Sequence, residues 1–234
     1  MKVTFIIPCY NAEKIVIRNH KRLSQFTKKN KIKKKIIYIN DGSNDYTLER
    51  LKKINDKDVE ILNNKRNLGK SKSIINCLSR VKTNNVILID CDLSYFEYLN
   101  KVIVNLKKND LVSVNRKLKK SRNINTSYNL YQFSRNLISN FLSFLIEKKL
   151  KLEVKGDTQA GLKAFKLSQN LKKKKFISKY YFFDIELINF FRKKNLKIKL
   201  IPVKFEISKQ SSIKIFSIKN FYILLEFIKV LFHK

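Results

Sequence analysis

Short runs of branched aliphatic residues, separated by amphipathic stretches, constrain this chain more than any other feature. Val3–Ile7, Lys35–Ile39, Val59–Leu62, Val86–Ile89 and Leu111–Val114 read as strands, with helical patterns near 13–29, 45–54, 70–81 and 95–107 between them. Parallel strands need crossover connections, and helices of this length supply them. The alternation therefore predicts an α/β fold built on a mostly parallel central sheet flanked by helices. In such a sheet ligands sit outside the carboxyl ends of the strands, so the chemistry is to be sought in the loops that follow them.

After residue 115 the pattern changes. A long apolar-faced helix is expected over 126–150, a strand over Gly161–Lys166, a helix near 184–194 and an alternating strand over Lys197–Phe205. The last segment, 213–232, puts Phe221, Leu224, Leu225, Ile228, Leu231 and Phe232 at helical spacing, with Lys219, Glu226, Lys229 and His233 opposite. A basic amphipathic helix of this kind packs on its own domain or lies on a membrane surface. One domain over 1–234 is expected, divided into 1–115, 116–210 and a terminal helix in 211–234.

Lys and Arg number 52 against 18 Asp and Glu, a net charge of +34. That excess points to a polyanionic partner (nucleic acid, acidic phospholipid or a phosphorylated substrate) or to a lysine-rich solvated surface. Having only two histidines, His20 and His233, disfavours a Ser-His or Cys-His hydrolase. Cys9, Cys77 and Cys91 form no CxxC pair, so reduced thiols in a cytosolic protein are expected, not a zinc site or a disulfide framework. The short strand after Met1 is too brief for a signal peptide, and no uncharged run reaches a membrane span. A soluble or peripheral protein is expected.

Three strand ends carry distinctive loops: Ile7-Pro8-Cys9-Tyr10-Asn11-Ala12-Glu13, Asn40-Asp41-Gly42-Ser43 and Asp90-Cys91-Asp92. The first has no GxGxxG, which disfavours a dinucleotide site. Gly69-Lys70-Ser71 has the tail of a P-loop, but Asn64 stands where its first glycine belongs. Asp90 and Asp92 repel each other unless something positive lies between them. A hard divalent cation resolves this, because Mg²⁺ takes one or two carboxylates together with substrate phosphates. The bland alternative is an Asp-rich turn or a helix N-cap.

Taken in order and spacing, these segments resemble the inverting glycosyltransferases of family 2, whose fold is GT-A. The resemblance implies that Pro8, Tyr10, Glu13 and Asp41 surround a nucleotide and that Gly69 and Lys70 of Asn67-Leu68-Gly69-Lys70 approach it. It implies a DxD motif in which Asp92 binds Mg²⁺ or Mn²⁺ and Asp90 faces metal and ribose. Gly156-Asp157-Thr158-Gln159-Ala160-Gly161-Leu162-Lys163-Ala164-Phe165 and Phe183-Asp184-Ile185-Glu186-Leu187 are similar to segments of dolichyl- and polyprenyl-phosphate sugar transferases. By that likeness the 1–115 half takes a UDP- or GDP-sugar and the 116–210 half a polyprenyl phosphate.

Arg116, Arg135, Lys163 and Lys214 become the cations for the acceptor phosphate, and Asp157 and Asp184 a base or the holders of that clamp. Such an acceptor implies peripheral attachment to the cytoplasmic face of an anionic membrane. A saccharide hydroxyl acceptor in surface-glycan synthesis is the alternative within enzymes. A nucleic-acid-binding protein would explain the charge, but not three carboxylates at neighbouring strand ends.

Overall fold

The structure, a computed structural model, describes residues 1–123, 140–148, 157–205 and 218–232. The strands are β1 (Lys2–Cys9), β2 (Lys33–Asp41), β3 (Val59–Asn64), β4 (Asn85–Ile89), β5 (Leu111–Asn115), β6 (Arg122–Asn123), β7 (Leu162–Lys166), β8 (Ile198–Pro202) and β9 (Lys204–Phe205). The helices are α1 (Val16–Lys29), α2 (Thr47–Lys52), α3 (Lys70–Leu78), α4 (Leu99–Leu106), α5 (140–148), α6 (Gln169–Lys173), α7 (Phe183–Lys193) and α8 (Ile218–Phe232).

Seven strands form one sheet in the order β3-β2-β1-β4-β7-β5-β8. Its neighbours run parallel except β7, which is antiparallel to both β4 and β5. That exception positions the site. An antiparallel strand begins where its parallel neighbours end, so the segment before Leu162 arrives at the same rim as Asp90 and Asn115. Ile89 is paired with Leu162, which sets Asp90 beside Gly161.

Side-chain alternation along each strand feeds two cores. Val3, Phe5, Ile7, Ile87 and Ile89 pack under α1, α2 and α4. Ile6, Ile37, Ile39, Val86 and Leu88 pack under α3, α7 and α8. The sheet is thus covered on both faces, which is why its strands read as near-continuous apolar runs.

Three expectations change in detail. The strand predicted over Lys197–Phe205 is interrupted at Val203, because β8 follows β5 only as far as Pro202 and the chain then leaves to pair β9 with β6. Glu226, placed by periodicity on the outer face of α8, is 8% exposed and turned inward. Conversely, Leu224, Leu225, Ile228 and Phe232 face outward, and Phe227, Val230 and Leu231 make the packed face. Of the helix predicted over 126–150, residues 140–148 are helical and the rest lie outside the described residues.

Candidate active site

The rim above the strand ends begins with two loops laced together. Asn11 N donates to Ser43 Oγ (3.0 Å), Ala12 N to Thr47 Oγ1 (2.7 Å), and Asn44 N to Asn11 Oδ1 (3.0 Å). Glu13 accepts from Tyr46 N at 3.0 Å, so it ties the β1 loop to the start of α2. Pro8 is half-buried beneath, and Tyr10 projects, 49% exposed.

Asp41, at the end of β2, is buried and fully occupied. Its Oδ1 accepts from Asn64 Nδ2 (2.9 Å), Leu68 N (2.9 Å) and Ser73 Oγ (2.7 Å), and its Oδ2 from Gly69 N (3.0 Å). These bonds brace the 64–69 loop against α3. Gly69, at φ 92°, is closely approached by the 179–180 backbone: a Cβ there would lie 2.6 Å from Lys179 O. A cavity of about 420 Å³ opens between β3 and α3 and shares Asn64 and Ser73 with this cradle. Its lining does not include the carboxylates of the β4 loop.

Strand alternation turns Asp90 toward the α3 side, where Lys70 Nζ donates to its Oδ1 at 2.5 Å. Burial alone would lower the Lys70 ammonium, but Asp90, Asp184 and Asp92 together hold its pKa above the ordinary lysine value. A lysine thus supplies part of the positive charge that the paired carboxylates demand. Asp92 is exposed, and its Oδ1 accepts from Ser94 N (2.9 Å) and Ser94 Oγ (2.8 Å). Leu93 and Tyr95 take left-handed φ values of 56° and 65°, backbone strain of the kind that gathers at functional loops.

Gly161 admits Asp90, for a Cβ on it would stand 2.3 Å from Asp90 Oδ2. Among the described residues no group of three or more His, Cys, Asp or Glu could cage a metal. Two carboxylates at an open rim nevertheless suit a hard cation whose shell is completed by a diphosphate and water.

Across the rim, Arg116 follows β5 and grips Asp157 in a fork: Nε to Oδ2 at 2.9 Å, an η nitrogen to Oδ1 at 2.6 Å. The Arg116 backbone N adds a third bond at 2.7 Å. Burial would raise the Asp157 carboxyl, but the guanidinium holds it below the usual range, so it is ionised and unsuited to take a proton. Of the two base candidates, Asp184 at the start of α7 is less fully engaged. Its Oδ1 lies 3.1 Å from Lys163 Nζ, an ion pair without hydrogen-bond alignment.

Lys163 itself is 1% exposed and donates to Ala160 O, so it lies beneath the mouth as the counter-ion of Asp184. Arg135 and Lys214 lie outside the described residues. Tyr95 was not anticipated; it is electrostatically coupled to Arg116, which links the β4 loop to the far side of the rim. Nor was Asn19, which donates from α1 to Cys91 O at 2.9 Å. Both partners are more than 20 residues distant, which hides them from sequence periodicity.

The family model described as Glycosyl transferase family 2 matches residues 4–170. A dolichyl-phosphate beta-glucosyltransferase of Trichomonas vaginalis is 26% identical over 229 residues, covering 91% of this chain and 68% of that protein. An uncharacterized glycosyltransferase of Bacillus subtilis is 27% identical over 95 residues, 40% of this chain and 29% of that protein. The chain spans about a third of the length of such bacterial relatives. Among solved structures, Mycobacterium tuberculosis glucosyl-3-phosphoglycerate synthase with Mn²⁺, UDP-glucose and phosphoglyceric acid superposes with a TM-score of 0.67 at 14% identity, over 98% of this chain and 78% of that one. The sheet order and this likeness identify the fold as GT-A.

Proposed function

The chain belongs to glycosyl transferase family 2, and from that premise we propose that it moves a hexose from a nucleoside-diphosphate sugar to a polyprenyl phosphate, inverting the anomeric centre. The observation that carries this reading is the shared rim. Asp90, Asp92 and Lys70 stand on one side of it and the Arg116–Asp157 fork on the other, because β7 runs against its neighbours. Residues 1–115 are the donor half and 116–210 the acceptor half. UDP-glucose, held by the structural neighbour, is the first donor to test, with GDP-sugars next. The Trichomonas relative, matched over 91% of this chain, supports the lipid acceptor.

Asp90 and Asp92 would hold Mg²⁺ or Mn²⁺, which when bound offsets the charge that grows on the departing diphosphate. Lys70, fixed on Asp90, adds a second positive charge beside it. A phosphate monoester has a second pKa near about 6 and is largely dianionic at neutral pH, so the attacking oxygen needs no strong base. It needs a cation that holds it in line. Arg116 is oriented for this by Asp157 and keeps a third of its side chain exposed. Arg135 and Lys214 are further candidates, while Lys163 acts by fixing Asp184.

The lipid must be met at a surface, since no helix among the described residues is long and apolar enough to cross a membrane. The outward face of α8, with Tyr222, Leu224, Ile228 and Phe232, and the exposed Phe141 and Phe144 of α5 suit peripheral docking on an anionic leaflet. The basic surface would add to it, each lysine near such a leaflet contributing about 1 kcal/mol. The cytoplasmic face is the one we assign.

The test is a panel of radiolabelled UDP- and GDP-sugars with purified protein, Mg²⁺ or Mn²⁺ and a short polyprenyl phosphate in detergent. Label entering the organic phase, and absent with Asp92→Ala, is expected. Metal-dependent release of nucleoside diphosphate with label on an oligosaccharide instead would replace the acceptor with a glycan hydroxyl.

A further inference from the structure

The donor lysine is held from a direction that the motifs do not reveal. Ser71 N and Lys72 N, in the first turn of α3, donate to Tyr180 O (3.0 Å) and Lys179 O (2.9 Å). Those first-turn amides have no partner within the helix, so the 179–180 backbone completes its N-terminus. Ser71 Oγ in turn accepts from Phe183 N at 3.0 Å. The same two residues are gripped on their other side by α8: Glu226 Oε1 accepts from Lys179 N (2.8 Å) and Tyr180 N (3.0 Å), and Oε2 from Tyr180 N (3.1 Å). Glu186 of α7 secures the preceding residues through Ile177 N (3.1 Å) and Ser178 N (2.9 Å).

Glu226 is a costly residue to place here. It is 8% exposed, and burial raises its pKa against the pull of the backbone amides that it accepts from. A buried carboxylate of this kind persists where its bonds specify a geometry. The path from it is short: Glu226 to the 179–180 peptide, to the first turn of α3, to Lys70 and to Asp90.

We infer that Glu226 is a positioning residue for the donor site, and that α8, the helix offered to the membrane, also sets Lys70 against Asp90. The inference rests on the transferase reading and deepens it, for one helix then serves both the lipid surface and the nucleotide sugar. Seating α8 and forming the donor site become one event, because the loop between them has no slack. Gly69 already lies so close to Lys179 O that a methyl group would not fit.

Two readouts on Glu226→Ala and Glu226→Gln decide it. Amide hydrogen exchange at Ser71 and Lys72 is expected to quicken about tenfold in the alanine variant, with β1 and β2 unchanged, as the unpaired 179–180 amides loosen. The donor kcat/KM should fall by about the same factor, as a charge that answers the departing diphosphate is displaced. Glutamine keeps one accepting oxygen and should restore most of both. Unchanged exchange at Ser71 and Lys72 in Glu226→Ala would overturn the brace. So would faster exchange without a change in donor kcat/KM, or loosening spread through β1 and β2 that glutamine does not rescue. A wild-type protein that turns over no nucleotide sugar would instead remove the transferase reading, and the exchange arm would still decide the brace.

Discussion

Asp41 and Asp157 are both buried carboxylates at one rim, yet opposite means hold them. Asp41 is satisfied by neutral donors: two loop amides, an asparagine and a serine. Asp157 is satisfied by a guanidinium and the backbone of the same arginine. The difference separates two tasks. Around Asp41 a neutral cradle fixes a loop, and the nearby charge is carried by the Lys70–Asp90 pair. Across the rim each acid is matched to a cation, Arg116 with Asp157 and Lys163 with Asp184, so positive charge is held in a fixed orientation.

The largest effect that would sharpen this contrast is on stability. Asp184→Ala leaves the Lys163 ammonium buried and unpaired, and should lower unfolding free energy by about 3–5 kcal/mol in urea titrations. A loss under about 1 kcal/mol would mean that the acceptor side does not depend on charge matching. Asp92→Ala should do the reverse. Transfer should fall by about 10²–10³-fold, the scale of losing one electrostatic stabiliser, while the melting temperature barely moves, because Asp92 is exposed.

Next comes Gly161→Ala, which drives a methyl group into Asp90. Metal affinity measured by titration of activity should weaken about 10–100-fold, as for a displaced support of a metal ligand. The smallest effect is expected for Asp41→Asn. One oxygen still accepts, so chemical denaturation should record a loss of about 1 kcal/mol. A loss as large as that of Asp184→Ala would erase the distinction between neutral cradle and ion pair.

Much of the donor half was legible from the chain. Buried parallel strands must be apolar on both faces, so Val3–Ile7 and Val86–Ile89 announce themselves, and ligand loops must follow their carboxyl ends. Lys70 and Asp90 were both assigned to the donor site from motif resemblance, and the fold pairs them. The acceptor half was legible as motifs but not as geometry. Lys163 pairs with Asp184, 21 positions later, and nothing local signals that pairing. Glu226 read as a solvated face for the same reason, its partners lying 46 and 47 residues away.

What the sequence alone determined is therefore the layered α/β architecture, the family likeness and the residues that gather at the rim. These follow from periodicity and from short motifs, which local sterics and burial impose residue by residue. What only the tertiary structure decided is direction and partnership: that β7 runs against β4 and β5, that Asp41 braces a loop, that Lys163 serves Asp184, and that α8 reaches the first turn of α3. An antiparallel strand and a parallel one share the same period of two, and a buried charge is assigned its role by whichever distant group the fold brings within hydrogen-bonding distance.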